Sequence, residues 1–227
     1  GQRVVHSAQH LHVGIGVDRD YPLHRYFLWA KHLELTLGGA TPQLLMPHAT
    51  ARVAGMLAAM RAMSVSRFGG PEVLELVDLP CPEPLPTEVL VRVVAAGVNP
   101  VDWKTRAGRG MAGVLGDPPF VVGWDVAGVV EAVGRGVTML APGDEVFGMP
   151  WFPRAAGAYA EYVTAPSRQF ARKPAQLSFE QAGGLALAGL TAWQILVDTA
   201  NVQPGQRVLI TAAAGGVGHL ATQVAKA

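Results

Sequence analysis

The residues in this chain best suited to chemistry stand near its C-terminal end. Ala212-Ala-Ala-Gly-Gly-Val-Gly218 follows an apolar run, Arg207-Val-Leu-Ile-Thr211, and precedes His219-Leu-Ala-Thr-Gln-Val-Ala-Lys-Ala227. The run reads as a short buried strand and the last segment as the start of a helix. The glycines therefore occupy a strand-to-helix turn, the context a phosphate-cradling loop requires. Glycine permits the sharp turn and lets a pyrophosphate approach without meeting a Cβ, and the free N–H groups at the helix start favour an anion. The spacing fits a dinucleotide fingerprint with Ala213 in the first glycine position, then Gly215 and Gly218, with Gly216 and Val217 between them. Small residues between a strand and a helix also serve close packing alone, so the turn by itself leaves both readings open.

Metal chemistry has little to work with. The single cysteine, Cys81, excludes an internal disulfide framework and any multi-cysteine zinc site. Of the seven histidines, His6, His10, His12, His24, His32 and His48 lie before residue 60. His6, His10 and His12 have a spacing that a metal could use, against the alternative of a solvated terminal segment. A net charge of +1 gives no electrostatic footprint for nucleic acid or an acidic membrane. The most apolar stretch, residues 185–197, is interrupted by Thr191 and Gln194 and is too short to span a bilayer. The first residues lack the basic start and apolar core of a signal peptide. A cytoplasmic location is the expectation.

These groups need a scaffold, and the texture of the chain supplies one after residue 60. Residues 1–59 show poor periodicity, with short helices expected over 22–33 and 50–59. From Met60 onward, β-branched runs alternate with Gly and Pro turns. Strands are expected at 62–66, 73–77, 88–95, 127–133, 145–147, 158–164 and 169–172. The four prolines between Leu79 and Pro86 make that segment an extended connection that no central strand could accommodate. Short, closely spaced strands indicate a barrel or sandwich. After Pro174 the pattern turns helical: Ser178 caps a run whose Gln181 sits at the reciprocal capping position, and residues 185–200 read as a helix leading to the strand at 207.

Taken in order, six blocks resemble the zinc-independent quinone oxidoreductase branch of the medium-chain dehydrogenase/reductase superfamily. They are Phe68-Gly-Gly-Pro-Glu-Val-Leu74, Ala96-Gly-Val-Asn-Pro-Val-Asp102, and the stretch from Pro119 to Val130 that contains Gly123-Trp-Asp125. Pro142-Gly-Asp-Glu-Val-Phe-Gly148, Ala188-Gly-Leu-Thr-Ala-Trp193 and the glycine turn complete the set. The resemblance implies a mixed β and α/β fold: a GroES-like β-barrel domain over 60–175, then the beginning of a Rossmann dinucleotide-binding domain over 176–227. Residues 1–59 fall outside the family pattern. Zinc-dependent members carry a cysteine in the 96–102 region and a histidine in the block aligned with Gly123-Trp-Asp125. Both are missing here, and Asp102 and Asp125 cannot replace an N/S ligand set, so no metal is expected.

The resemblance also assigns roles. NADPH is the implied cofactor, to be held by Ala213, Gly215, Gly216, Val217 and Gly218. Asn99 sits where the family's asparagine reaches the nicotinamide or substrate, although an Asn before Pro100 is equally at home as a turn residue. Thr191 matches a threonine near the cofactor, or merely back-bonds within its own helix. Lys104 stands where family members carry a tyrosine facing the cleft, and a second such position is Gly110. Lys104 could polarise a carbonyl as a catalytic group, or be a solvated surface lysine. Trp103, Phe120, Trp124, Trp151 and Phe152 either line an apolar cleft or pack a core.

The implied activity is NADPH-dependent reduction of small-molecule quinones or α,β-unsaturated carbonyls by hydride transfer. One alternative is an enoyl reductase of thioester-bound substrates; another is a non-catalytic binding or structural member. No nucleic acid or membrane partner is expected, and a homodimer is expected of the full-length protein. The residue that reads the ribose falls about 20 positions past a glycine loop, beyond Ala227, so the 227-residue polypeptide alone is expected to bind NADPH poorly.

Overall fold

Runs of Val, Ala and Leu bounded by Gly and Pro turns form a strand-rich region in the computed structural model, which describes residues 59–227. The metal option at His6, His10 and His12 and the helices expected before residue 59 lie outside the described residues. Two compact units are present, residues 59–186 and 187–227.

The first unit contains β1 (Ala59–Val65), β2 (Leu74–Pro80), β3 (Glu88–Ala96), β4 (Phe120–Val121), β5 (Val126–Val133), β6 (Glu145–Gly148), β7 (Tyr162–Pro166) and β8 (Phe170–Arg172). They pair in two sheets of order β2-β1-β4 and β7-β3-β5-β6-β8, and every pairing is antiparallel. The segment entering β7 ties the sheets together. Met63 N donates to Tyr159 O at 2.8 Å and Glu161 N to Arg61 O at 3.0 Å, while Val93 N donates to Glu161 O at 2.9 Å. One stretch of backbone thus holds β1 on one side and β3 on the other, and the two sheets curl together into a half-barrel. The Arg61 guanidinium clamps the junction, with Nη2 2.6 Å and Nε 3.0 Å from Glu161 Oε1.

β3 shows why the sequence alternates. Val89 and Val91 point into a core with Val126, Val130, Val146, Val163 and Phe170. Leu90 faces the other way, against Met60, Ala62, Cys81 and Ala160. Each such aliphatic side chain stabilises the fold by about 1.5–3 kcal/mol on full burial. β2 is an edge strand, which is where its closing Pro80 is tolerated.

The strand expected over 158–164 resolves into an isolated bridge, Ala62 to Ala160, followed by β7. Two short helices are not among the expected elements: α1 (Pro100–Arg106) and α2 (Ala112–Leu115). The signal for α1 is present, since Asn99-Pro100 places a good N-cap residue before proline at the first helical position. α3 (Phe179–Gly183) carries the expected capping box: Gln181 N donates to Ser178 Oγ at 3.2 Å and Ser178 N to Gln181 Oε1 at 3.0 Å.

α4 (Ala186–Trp193) runs into a π-helical stretch, Gln194–Thr199, and the second unit ends with α5 (Gly216–Lys226). Its small core joins Ala192, Leu196 and Ala221, with Val202, Ile210, Val217, Leu220 and Val224 packed around them. The strand expected over 207–211 does not form. A strand's backbone groups need a neighbour to bond, and among the described residues no ladder includes this segment. Leu209 is accordingly 83% exposed.

Candidate active site

The most elaborate polar arrangement in the first unit surrounds Asn99. This residue ends the turn after β3 and caps α1. Its backbone N–H donates to Asp102 Oδ2 at 2.6 Å, the reach-back arm of a capping box, while Asp102 N donates to Asn99 O at 3.0 Å. Its side-chain Nδ2 donates to Asp125 Oδ2 at 2.8 Å. Asp125 immediately precedes β5, and its carbonyl accepts from Gly97 N at 3.2 Å. Tyr159, in the segment that joins the sheets, donates its hydroxyl to Asp102 Oδ2 at 3.0 Å. All four residues are buried, Asp125 completely.

Two acids in one buried neighbourhood have electrostatic consequences. Burial pushes the Asp102 carboxyl up to about 7; Asp125 adds to the rise, while the Asn99 and Gly123 amides and the Tyr159 hydroxyl oppose it. Asp102 Oδ1 is buried without a hydrogen-bond partner. Burial, then the Asp102 charge, holds the Tyr159 hydroxyl well above its ordinary range, so it remains a donor. The Tyr159 ring fits because residue 123 is glycine. Gly123 has φ +98°, and a Cβ there would stand 2.5 Å from a Tyr159 ring carbon.

The glycine turn of the second unit is built from backbone. Gly215 N donates to Ala212 O at 2.9 Å, and Gly215 then caps α5, where His219 N donates to its carbonyl at 3.0 Å. Ala212, with φ +52°, rather than a glycine, takes the left-handed conformation. Gly218 lies so close to Ala212 that a Cβ would collide with the Ala212 carbonyl oxygen, whereas a Cβ on Gly216 would meet nothing within 4 Å. The last glycine thus permits tight packing, and the helix start stays open on its outer side. Those two properties suit a pyrophosphate, and the residues present fit a dinucleotide.

The other expected site residues have varied placements. Thr191 donates its hydroxyl to Leu187 O at 2.7 Å, the back-bond within its own helix. Lys104 is exposed on α1 with Nζ 5.5 Å from the centre of the Trp103 ring, which Arg109 also approaches at 5.7 Å. Trp124 is fully buried, donating to Arg154 O at 2.6 Å, and Trp151 packs against the core and donates to Thr164 O at 2.7 Å. Phe120 pairs with Phe68, and Phe152 meets Trp124 edge-on while remaining 41% exposed. Among the described residues no group of three or more His, Cys, Asp or Glu is gathered for a metal ion, and no helix is long and apolar enough to cross a membrane. The two regions that would supply zinc ligands in the metal-dependent relatives do meet, but they bring an amide and a carboxylate bonded to each other.

Of this cluster, sequence alone marks Asn99 as a site residue and presents Asp102 and Asp125 only as inadequate metal ligands. The Asn-x-x-Asp spacing and an acid inside the apolar Gly123–Val130 stretch are signals that could have found them. Nothing local marks Tyr159.

A GroES-like half-barrel, followed by helical segments and a glycine turn that opens a helix, defines a chain of the medium-chain dehydrogenase/reductase class. Residues 85–175 match the alcohol dehydrogenase GroES-like domain. The chain is 41% identical over 169 residues to the quinone oxidoreductase of Homo sapiens, spanning 74% of this chain and 50% of that protein. It is 42% identical over 174 residues to the chloroplastic NADPH-dependent alkenal/one oxidoreductase of Arabidopsis thaliana, spanning 74% and 44%. The structure of the quinone oxidoreductase from Coxiella burnetii is 45% identical and superposes with a TM-score of 0.70 over 74% of this chain and 53% of that one. The chain spans about half the length of the curated relatives it matches. It belongs to the zinc-independent quinone oxidoreductase branch of the medium-chain dehydrogenases/reductases.

Proposed function

We propose that the protein containing this chain reduces quinones or α,β-unsaturated carbonyls by hydride transfer from NADPH, without a metal ion. The observation that carries this reading is the Asn99 amide, held 2.8 Å from a fully buried carboxylate at the head of α1. Support comes from the names of the relatives, one a quinone oxidoreductase and another an NADPH-dependent alkenal/one oxidoreductase.

The labour divides along the chain, with residues 60–175 forming the substrate-side barrel and 176–227 opening the nucleotide-binding domain. When bound, NADPH supplies the hydride. The backbone N–H groups of Gly216, Val217 and Gly218 at the start of α5 would take the pyrophosphate, with Ala213 and Gly215 shaping the approach. Thr191, whose proton is committed to Leu187 O, retains lone pairs to accept from a nicotinamide amide or ribose hydroxyl. Asn99 would donate an N–H to the oxygen on which charge builds as the acceptor is reduced. A neutral amide does this without changing its own charge.

The test is NADPH oxidation by the complete protein with a panel of quinones and enones. Turnover is expected with at least one class, and Asn99→Ala should lower kcat by about 10²–10³-fold, as removal of a single charge-stabilising donor does. A protein that binds NADPH and reduces none of them overturns the reading in favour of a non-catalytic member of the family.

A further inference from the structure

Asn99 is held through both its main chain and its side chain, and the two attachments do different things. A primary amide presents two N–H donors on one face and a carbonyl acceptor on the other, and rotation by a half-turn exchanges them. A carboxylate only accepts, so the Asp125 carboxylate selects the nitrogen of the Asn99 amide. One N–H is then committed, and the second is left as a donor in a defined direction. Asp125 is itself fixed, because it is fully buried and its carbonyl is bonded by Gly97 N. The backbone of Asn99 is set separately, by its N–H on Asp102 Oδ2, an oxygen that also accepts from Tyr159.

A helix of seven residues needs none of this to begin. An exposed capping box would close α1 equally well, and burying two acids beside each other carries a desolvation cost that such a box avoids. Four residues from three parts of the first unit, the head of α1, the start of β5 and the segment entering β7, converge here, and their hydrogen bonds meet at or next to Asn99. We infer that Asp125 is a positioning residue for the reaction proposed above: it fixes the Asn99 amide with an N–H presented to the reacting oxygen, while Asp102 and Tyr159 fix the backbone beneath it. The inference rests on that reading of the function.

A double-mutant cycle in the complete protein tests it. Asp125→Asn keeps the shape but offers an amide that can itself turn, and it should lower kcat by about ten- to a hundredfold with NADPH affinity unchanged. In an Asn99→Ala background the same substitution should change kcat less than about twofold, because its effect passes through Asn99. Equal losses in both backgrounds overturn the inference. Should Asp125→Asn not fold, Tyr159→Phe enters the same cycle, with a several-fold loss expected in the presence of Asn99 and none in its absence. A second readout needs no turnover: the Asn99 side-chain N–H signals should exchange slowly with solvent in the wild type and fast in Asp125→Asn, and fast exchange in the wild type overturns the geometry. Absence of any quinone or enone reduction by the wild type rejects the proposed function, and the positioning role with it. Turnover with additive losses rejects the positioning role alone.

Discussion

The two units hold their functional groups by opposite means. In residues 59–186 the polar groups are side chains, buried and cross-bonded: Asn99 to Asp125, and Asp102 to both Asn99 and Tyr159. In residues 187–227 the glycine turn is made of peptide groups and of missing side chains, with Gly215 N on Ala212 O and Gly218 packed against Ala212. The first arrangement is sensitive to charge and protonation, the second to shape. A substitution that adds one to three carbons should therefore be decisive in the turn, whereas an isosteric change of charge should be decisive around Asn99.

The largest effect is expected from volume in the turn. Gly218→Val places a Cβ against the Ala212 carbonyl oxygen, and the close pairing of turn and helix cannot survive it. NADPH affinity of the complete protein, measured by calorimetry, should fall at least about 100-fold, equivalent to about 2.7 kcal/mol. The near-UV circular dichroism of the buried Trp124 should stay unchanged, since the half-barrel is untouched. Affinity within a few-fold of wild type would show that the turn tolerates bulk and would break the comparison at its shape-sensitive end.

Charge gives the next effect, in the other unit. Asp102 is raised to about 7, chiefly by burial, from an ordinary value of about 3.9 that the unfolded chain retains. Between these two pH values the folded state keeps a proton that the unfolded state has lost. Stability therefore falls as pH rises from about 4 to about 7 and levels off above that. Each pH unit of that interval is worth about 1.4 kcal/mol, which makes the whole contribution on the order of a few kcal/mol. Asp102→Asn cannot ionise, so denaturant unfolding should lose that part of the pH dependence. The slope is the measurement that decides, because an amide nitrogen at the place of the unpartnered Oδ1 costs about 1–3 kcal/mol at every pH. Equal slopes in wild type and variant would mean that Asp102 is charged and well solvated in the fold.

What the sequence disclosed follows the same division between local and distant causes. The strands of the half-barrel were legible because each carries its own alternation, as Val89, Leu90 and Val91 do. The Ser178–Gln181 cap was legible because both partners lie within one turn. The Asn99–Asp125 and Asp102–Tyr159 bonds join residues 26 and 57 positions apart, and no local pattern announces them. Arg207–Thr211 has the composition of a strand but lacks a neighbour among the described residues to bond with, so composition alone misled. The glycine turn was legible because its requirement is steric and local: only a residue without Cβ fits at 218. By contrast, the left-handed residue is Ala212, which no glycine pattern would select.

The smallest effect is expected at Lys104, and it sharpens the comparison from outside the network. Lys104 is exposed, and its ammonium group lies over Trp103, a contact worth about 0.5–1 kcal/mol at such a site. Arg109 approaches the same ring, so Lys104→Met still leaves that guanidinium beside the indole and keeps an unbranched side chain at 104. Stability should drop by no more than about 1 kcal/mol, while turnover and NADPH affinity stay within about twofold of wild type. The first unit would then owe its chemistry to groups that the fold has buried and oriented. A tenfold fall in kcat with normal NADPH affinity would place an exposed, mobile cation at the reacting oxygen. Charge on the surface of α1, rather than the buried hydrogen bonds at its head, would then be the feature that distinguishes this unit from the glycine turn.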